Sequence, residues 1–186
     1  MADKYDLAYL SVAELPQYTG GDTSADKELV FDTSANRWEY KAVGGGVIAA
    51  GSALTLTAET HEGRIINLDT AAGSTVTLPA ATGSGNVYRF RVSVLATSNS
   101  HVVKVANASD AMEGMAIIAD TDTAGAAYAF MAVAGTSDTI TLNRSTTGSV
   151  TIGEYIEIED IATNRFKVRA TLSGTGTPLT PFSATV

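Results

Sequence analysis

The sequence predicts an all-β protein, a single sandwich- or barrel-like domain preceded by an extended N-terminal arm and a hairpin. Short runs in which apolar and polar residues alternate fill the chain from position 47 onward. Gly, Asn, Asp or Ser interrupts these runs at a spacing near 8–12 residues, which is the rhythm of strands joined by turns. Helical periodicity is nearly absent.

Residues 1–27 read as the arm. Ser11 and Glu14 have capping-box spacing, with Val12, Ala13 and Leu15 behind them, and Pro16 stops the helix within about one turn. So short a helix is below the ~12–15 residues at which an isolated helix becomes even marginal, so the arm gains its order from a surface. Leu7, Leu10 and Leu15 are its candidate partner-binding residues. Residues 28–46 form a hairpin and a linker. Glu28–Asp32 and Arg37–Val43 are strand-like, the second placing Trp38 and Tyr40 on one face and Arg37, Glu39 and Lys41 on the other. Trp38 and Tyr40 complete the candidate partner-binding set, because buried aromatics carry much of the energy of interfaces. Gly44, Gly45 and Gly46 then mark a break.

Residues 47–186 form the β domain, ending in an extended tail. Its expected strands are 53–58, 64–68, 75–78, 87–94, 101–106, 116–119, 126–134, 139–142, 150–152, 155–161 and 166–171. Leu54, Leu56, Ile66, Leu68, Val76, Leu78, Tyr88, Phe90, Val92 and Val94 alternate as a core face. The Ala-rich segment 124–134 has helical propensity but no helical stripe, so it is read as strand. The stretch from Gly174 to Phe182, broken by two prolines, reads as a tail laid along a surface.

Composition narrows the function. A chain of 186 residues is long enough for one hydrophobic core without staples. It has no cysteine, which excludes thiol chemistry and thiolate zinc sites. Twelve basic and twenty acidic residues give a net charge of −8 with no basic cluster, a surface that repels nucleic acid. Charged residues are 17 % of the chain against about 25 % in ordinary globular proteins, which suits subunit contacts better than a lone enzyme. No signal peptide and no apolar run of membrane-spanning length are read, so neither membrane nor secretion is expected.

Catalytic and metal motifs are weak. Asp120, Asp122 and Gly125 begin like a calcium loop, but the twelfth position is Met131 where a bidentate glutamate belongs, so the two aspartates are faint metal candidates and turn chemistry explains them. Glu154, Glu157, Glu159 and Asp160 are the densest acidic stretch. Alternation sets Glu157 and Glu159 opposite Ile156 and Ile158, on a face that Arg165, Lys167 and Arg169 of the next strand would neutralise. His61 and His101 have no ligand-spaced neighbour, Gly83-Ser-Gly85 lacks the strand-to-helix context of a phosphate loop, and the sequons at Asn107 and Asn143 are chance-grade. No active site, cofactor or metal is expected.

Several stretches resemble virion proteins of tailed bacteriophages: Ser11-Val-Ala-Glu-Leu-Pro16, the hairpin Glu28 to Trp38, the stretch Leu54 to Pro79, and the Gly/Thr/Pro-punctuated ending Gly174 to Phe182. An arm, one β domain and no fibre repeat look most like head decoration, or cement, proteins. That resemblance implies a non-enzymatic structural protein, made in the host cytoplasm. It would seat as homotrimers on the outer capsid surface and brace the major capsid protein. A head-fibre or tail-fibre module recognising a surface glycan is the alternative.

Overall fold

The computed structural model describes residues 27–32, 37–42 and 46–186. Leu7, Leu10, Leu15 and the short helix expected after Ser11 lie outside the described residues. The chain falls into two compact units that divide after Gly46. In the first, β1 (Lys27–Asp32) and β2 (Arg37–Ala42) pair antiparallel, Leu29 opposite Tyr40 and Phe31 opposite Trp38 in backbone register.

The second unit is all β, built as two mixed sheets packed on each other. Its first six strands are β3 (Val47–Ala49), β4 (Ala53–Thr55), β5 (Ile65–Leu68), β6 (Thr75–Thr77), β7 (Val87–Val92) and β8 (His101–Lys104). They alternate between the sheets. Parallel neighbours β3, β5 and β7 lie in one sheet and parallel neighbours β4, β6 and β8 in the other, so the chain winds three times around a common core. One helical turn, α1 (Ala58–His61), lies on the way from β4 to β5. The remaining strands are β9 (Ala111–Asp120), β10 (Ala127–Met131), β11 (Thr139–Leu142), β12 (Tyr155–Ala162), β13 (Arg165–Gly174) and β14 (Phe182–Ser183). They extend both layers, giving a seven-stranded sheet ordered β10-β9-β13-β12-β7-β5-β3 and a five-stranded sheet ordered β14-β11-β8-β6-β4.

Register explains the core. Across the large sheet Phe130, Ala116, Ala170, Ile156, Phe90, Ile66 and Ile48 stand side by side, and across the small sheet Leu54, Val76, Val103, Ile140 and Phe182 do the same. All belong to the buried cluster or pack against it. A period of two sends the intervening residues outward. The alternation read from the sequence holds for Leu56, Ile66, Leu68, Val76, Leu78, Tyr88, Phe90 and Val92, all buried, whereas Val94 lies beyond β7 and is exposed.

Four expectations are corrected. Residues 150–152 form no strand, because the Glu154 carboxylate gathers the N–H groups of Ser149, Val150 and Thr151 at 2.7–2.9 Å into a loop. The run expected at 53–58 stops at Thr55, and α1 begins at Ala58. The strand expected at 116–119 is the C-terminal part of the ten-residue β9, which pairs along its whole length with its parallel partner β13. The tail is no surface layer throughout: β14 joins the small sheet and buries Phe182.

Buried carboxylates hold the crossings together. Asp160 accepts the N–H groups of Thr82, Gly83 and Ser84 and the hydroxyls of Thr82 and Ser84, so Thr82-Gly-Ser84 cradles an anion of the protein itself. Asp110 accepts from Ala81 N–H, and Asp138 from Thr185 and Val186 N–H. Burial pushes the Asp160 and Asp138 carboxyls up, but the hydrogen bonds outweigh it and hold both below the usual range. At Glu154 burial prevails and the carboxyl is raised. His101, fully buried, accepts Ser74 N–H on Nδ1 at 3.0 Å, and its Nε2 lies 2.9 Å from the Val94 carbonyl.

Candidate docking face

With the inner face of the large sheet spent on the core, its outer face is the larger of the two outward sheet faces of the second unit. Two rows cross it. Met131, Met115, Arg169, Glu157, Arg89, Ile65 and Val47 form one, and Ala129, Ile117, Thr171, Tyr155, Arg91, Asn67 and Ala49 the other. Along the β9–β10 corner the rows are apolar. Met115, Ile117 and Met131 are 42, 44 and 62 % exposed, and Val133, just past β10, is 64 % exposed. Singly exposed apolar residues are ordinary, but a contiguous group of them marks a contact surface.

Beside this corner runs a charged band. Residues 47–186 carry eight basic side chains, and five of them, Arg89, Arg91, Arg165, Lys167 and Arg169, stand on outward positions of β7 and β13. Glu113, Glu157 and Glu159 are the acids among them, so the band is net positive by two in a chain that is net negative. Glu157 pairs with Arg89 at 3.2 Å, Glu159 with Lys167 at 3.1 Å, and Glu113 with Arg165. The neutralisation expected from the β13 cations thus occurs at Lys167, while Glu157 turns to β7. Arg91 finds only the neutral Asn67 carbonyl, at 3.0 and 3.2 Å, and Arg169 has no hydrogen-bonding or ionic partner among the described residues.

Where corner and band meet, Met115, Ile117, Tyr155, Glu157, Lys167, Arg169 and Thr171 line an open groove of about 450 Å³. Burial pushes the Tyr155 hydroxyl up, helped by Glu157 and opposed by Arg89. This arrangement can bind: apolar contact from β9 and β10 lies next to guanidinium donors on β13 and β7.

Asp120 and Asp122, singled out from sequence, stand at the C-terminal end of β9 and just past it, outside the lining of the groove. Of Trp38 and Tyr40 only the backbone positions in β2 are described. Asp120 and Asp122 are occupied as turn formers. Asp120 Oδ1 accepts the Asp122 N–H at 2.9 Å, and Asp122 Oδ2 accepts Thr175 Oγ1 at 2.8 Å and Gly176 N–H at 2.5 Å, bonds that lower its carboxyl. No group of three or more metal-ligating side chains forms among the described residues, and among them no helix is long and apolar enough to cross a membrane. Sequence reasoning missed Met115, Ile117 and Met131 as a surface. Their alternation with Ala116 and Phe130 was visible, but not which parity faces inward. Comparison of the chain with protein-family models, with curated proteins and with solved structures returns no match.

Proposed function

We propose that this chain is a non-enzymatic virion structural protein, a decoration protein that binds the outer capsid surface of a tailed phage and stabilises the shell. The observation that carries the reading beyond sequence resemblance is the outer face of the seven-stranded sheet, an apolar corner beside a net-positive band in an acidic chain. A ligand that binds the assembled shell and not its separated subunits shifts the equilibrium toward the shell, and many weak copies add up. The major capsid protein is then the partner, with the arm residues Leu7, Leu10 and Leu15 and the hairpin residues Trp38 and Tyr40 as further anchors. The resemblance adds self-association as trimers, but the open edge of the large sheet favours another symmetry, argued below.

The test is co-sedimentation with empty, expanded capsids of the same phage. Wild type is expected to pellet with them and to raise their melting temperature, and Ile117→Lys to lose both effects while keeping its own melting curve. Absence of wild-type binding overturns the reading. The groove around Tyr155 favours a second reading, a host-recognition module gripping an acidic glycan between Arg169 and Tyr155. Binding to bacterial surface polysaccharide that Arg169→Ala abolishes, with no capsid binding, would select it.

A further inference from the structure

We propose that the outer edge of β10 is a pairing edge for a second copy of this chain, joining two large sheets across a twofold axis at Ala129. The four sheet edges of the second unit differ sharply. β3 and β4 have three residues each and β14 has two, lengths that offer little to a passing strand. β10 has five, Ala-Tyr-Ala-Phe-Met, with none of the charges or prolines by which proteins usually blunt an edge.

Two hydrogen bonds fix which backbone groups are free. Asp120 N–H donates to the Ala126 carbonyl, and Ala132 N–H donates to the Gly114 carbonyl. In an antiparallel ladder the bonded residues alternate, so even-numbered positions of β10 turn their N–H and C=O toward β9. Ala127, Ala129 and Met131 therefore turn theirs to the side of β10 on which no described strand pairs.

A second β10 running antiparallel must match odd positions to odd positions. The register with Ala129 opposite its own copy places Ala127 opposite Met131 twice and closes about six backbone hydrogen bonds. Sliding by one residue pair loses a third of them. The side chains agree with that register. Each alanine meets a methionine or an alanine on the outer face, and Tyr128 meets Phe130 twice on the other face, at the closer non-bonded spacing that suits aromatic pairs. Such a contact is isologous and closes at two copies.

Charge does not forbid that occupant. Copies carrying −8 each repel at a distance, and β10 is an uncharged stretch on which they meet without opposing carboxylates. Tyr128 and Met131 are 41 and 62 % exposed, and pairing covers part of that surface. So small a contact falls below the ~1,000 Å² of total area that a stable interface needs, so a weak, concentration-dependent dimer is the expected state.

The test is sedimentation equilibrium of the full chain from low to high micromolar concentration, without capsids. Wild type should move from one copy to two. Ala129→Pro removes only an outward N–H, a place where a strand tolerates proline, and Ala129→Lys sets two like charges opposite each other. Both should stay monomeric at every concentration with melting curves near wild type. Amide exchange of wild type supplies a readout free of folding defects: protection at Ala127, Ala129 and Met131 should rise with concentration. A monomer at all concentrations, a trimer, a dimer that survives Ala129→Pro, or concentration-independent exchange overturns the proposal. Because no capsid enters these measurements, failure here is distinct from failure of the decoration reading, which Ile117→Lys tests.

Discussion

Replacing Asp160 by asparagine keeps shape and volume but removes half of what the carboxylate does. Oδ1 accepts Gly83 N–H at 2.7 Å, and Oδ2 accepts Ser84 N–H at 3.1 Å together with the Ser84 hydroxyl at 2.7 Å. An asparagine carbonyl serves one of those sides, and its NH₂ confronts a backbone donor on the other. The hydroxyls can rotate to accept, but the orphaned N–H cannot. One buried unsatisfied donor costs about 1–3 kcal/mol, and the surviving bonds lose their charge assistance, so Asp160→Asn should cost about 3 kcal/mol. In a chain of this size that lowers the melting temperature by about 6–12 °C. The carboxyl is lowered in the fold, so its contribution is complete above the unfolded-chain value near ~3.9 and disappears as pH falls through the folded value. Urea titrations followed by circular dichroism should therefore give a full gap between wild type and variant at pH 7 and a closing gap in acid. A variant within about 0.5 kcal/mol of wild type at neutral pH, or a gap that persists wherever acid still leaves wild type folded, refutes the reasoning.

Glu154 should show the opposite pH trend: burial raises its carboxyl, so wild type loses stability relative to Glu154→Gln as pH rises through the folded value, checked by urea midpoints between about pH 4 and 8. Gly114 in β9 has φ of 135°, and an added Cβ would strike the Val168 carbonyl, so Gly114→Ala should cost about 3 kcal/mol or more in a thermal melt. Gly51→Ala, at φ 59° with open space around it, should cost only about 1 kcal/mol. Removing residues 1–27 should leave the melting curve of the remainder nearly unchanged and abolish co-sedimentation with capsids; unfolding of the truncated chain would place those residues in the core.

Much of the β domain is legible from alternation alone, because burial on one face forces a period of two whatever the neighbouring strand does. The β12–β13 hairpin is clearest: Asn164, with φ of 61°, sits in a two-residue connection between strands of matched charge. Parallel winding is not legible, since Leu54, Val76 and Val103 show the same alternation in a parallel ladder as in a meander. The inward turn of the buried carboxylates is legible in the same alternation. Glu154 and Asp160 share the parity of Ile156 and Ile158, which places them inward, and the small polar residues of 82–84 and 149–151 were the donors to look for. Edge pairing of β14 through Phe182 and Ser183 has no local signal, because two residues carry no period.

The winding of the first six strands also sets an order in time. Neighbouring rungs are 18 to 27 residues apart in sequence, as in Val47 to Ile65 and Thr75 to Val102, whereas the parallel contact of β9 with β13 spans 54 residues, from Ala111 to Arg165. Short closures form first and long ones wait for them, so the three coils and the β12–β13 hairpin are the pieces that can assemble independently. The hairpin then has to seat two edges at once, β12 against β7 and β13 against β9. Until it does, the edges of β7 and β9 that it covers are open to pairing with the wrong strand.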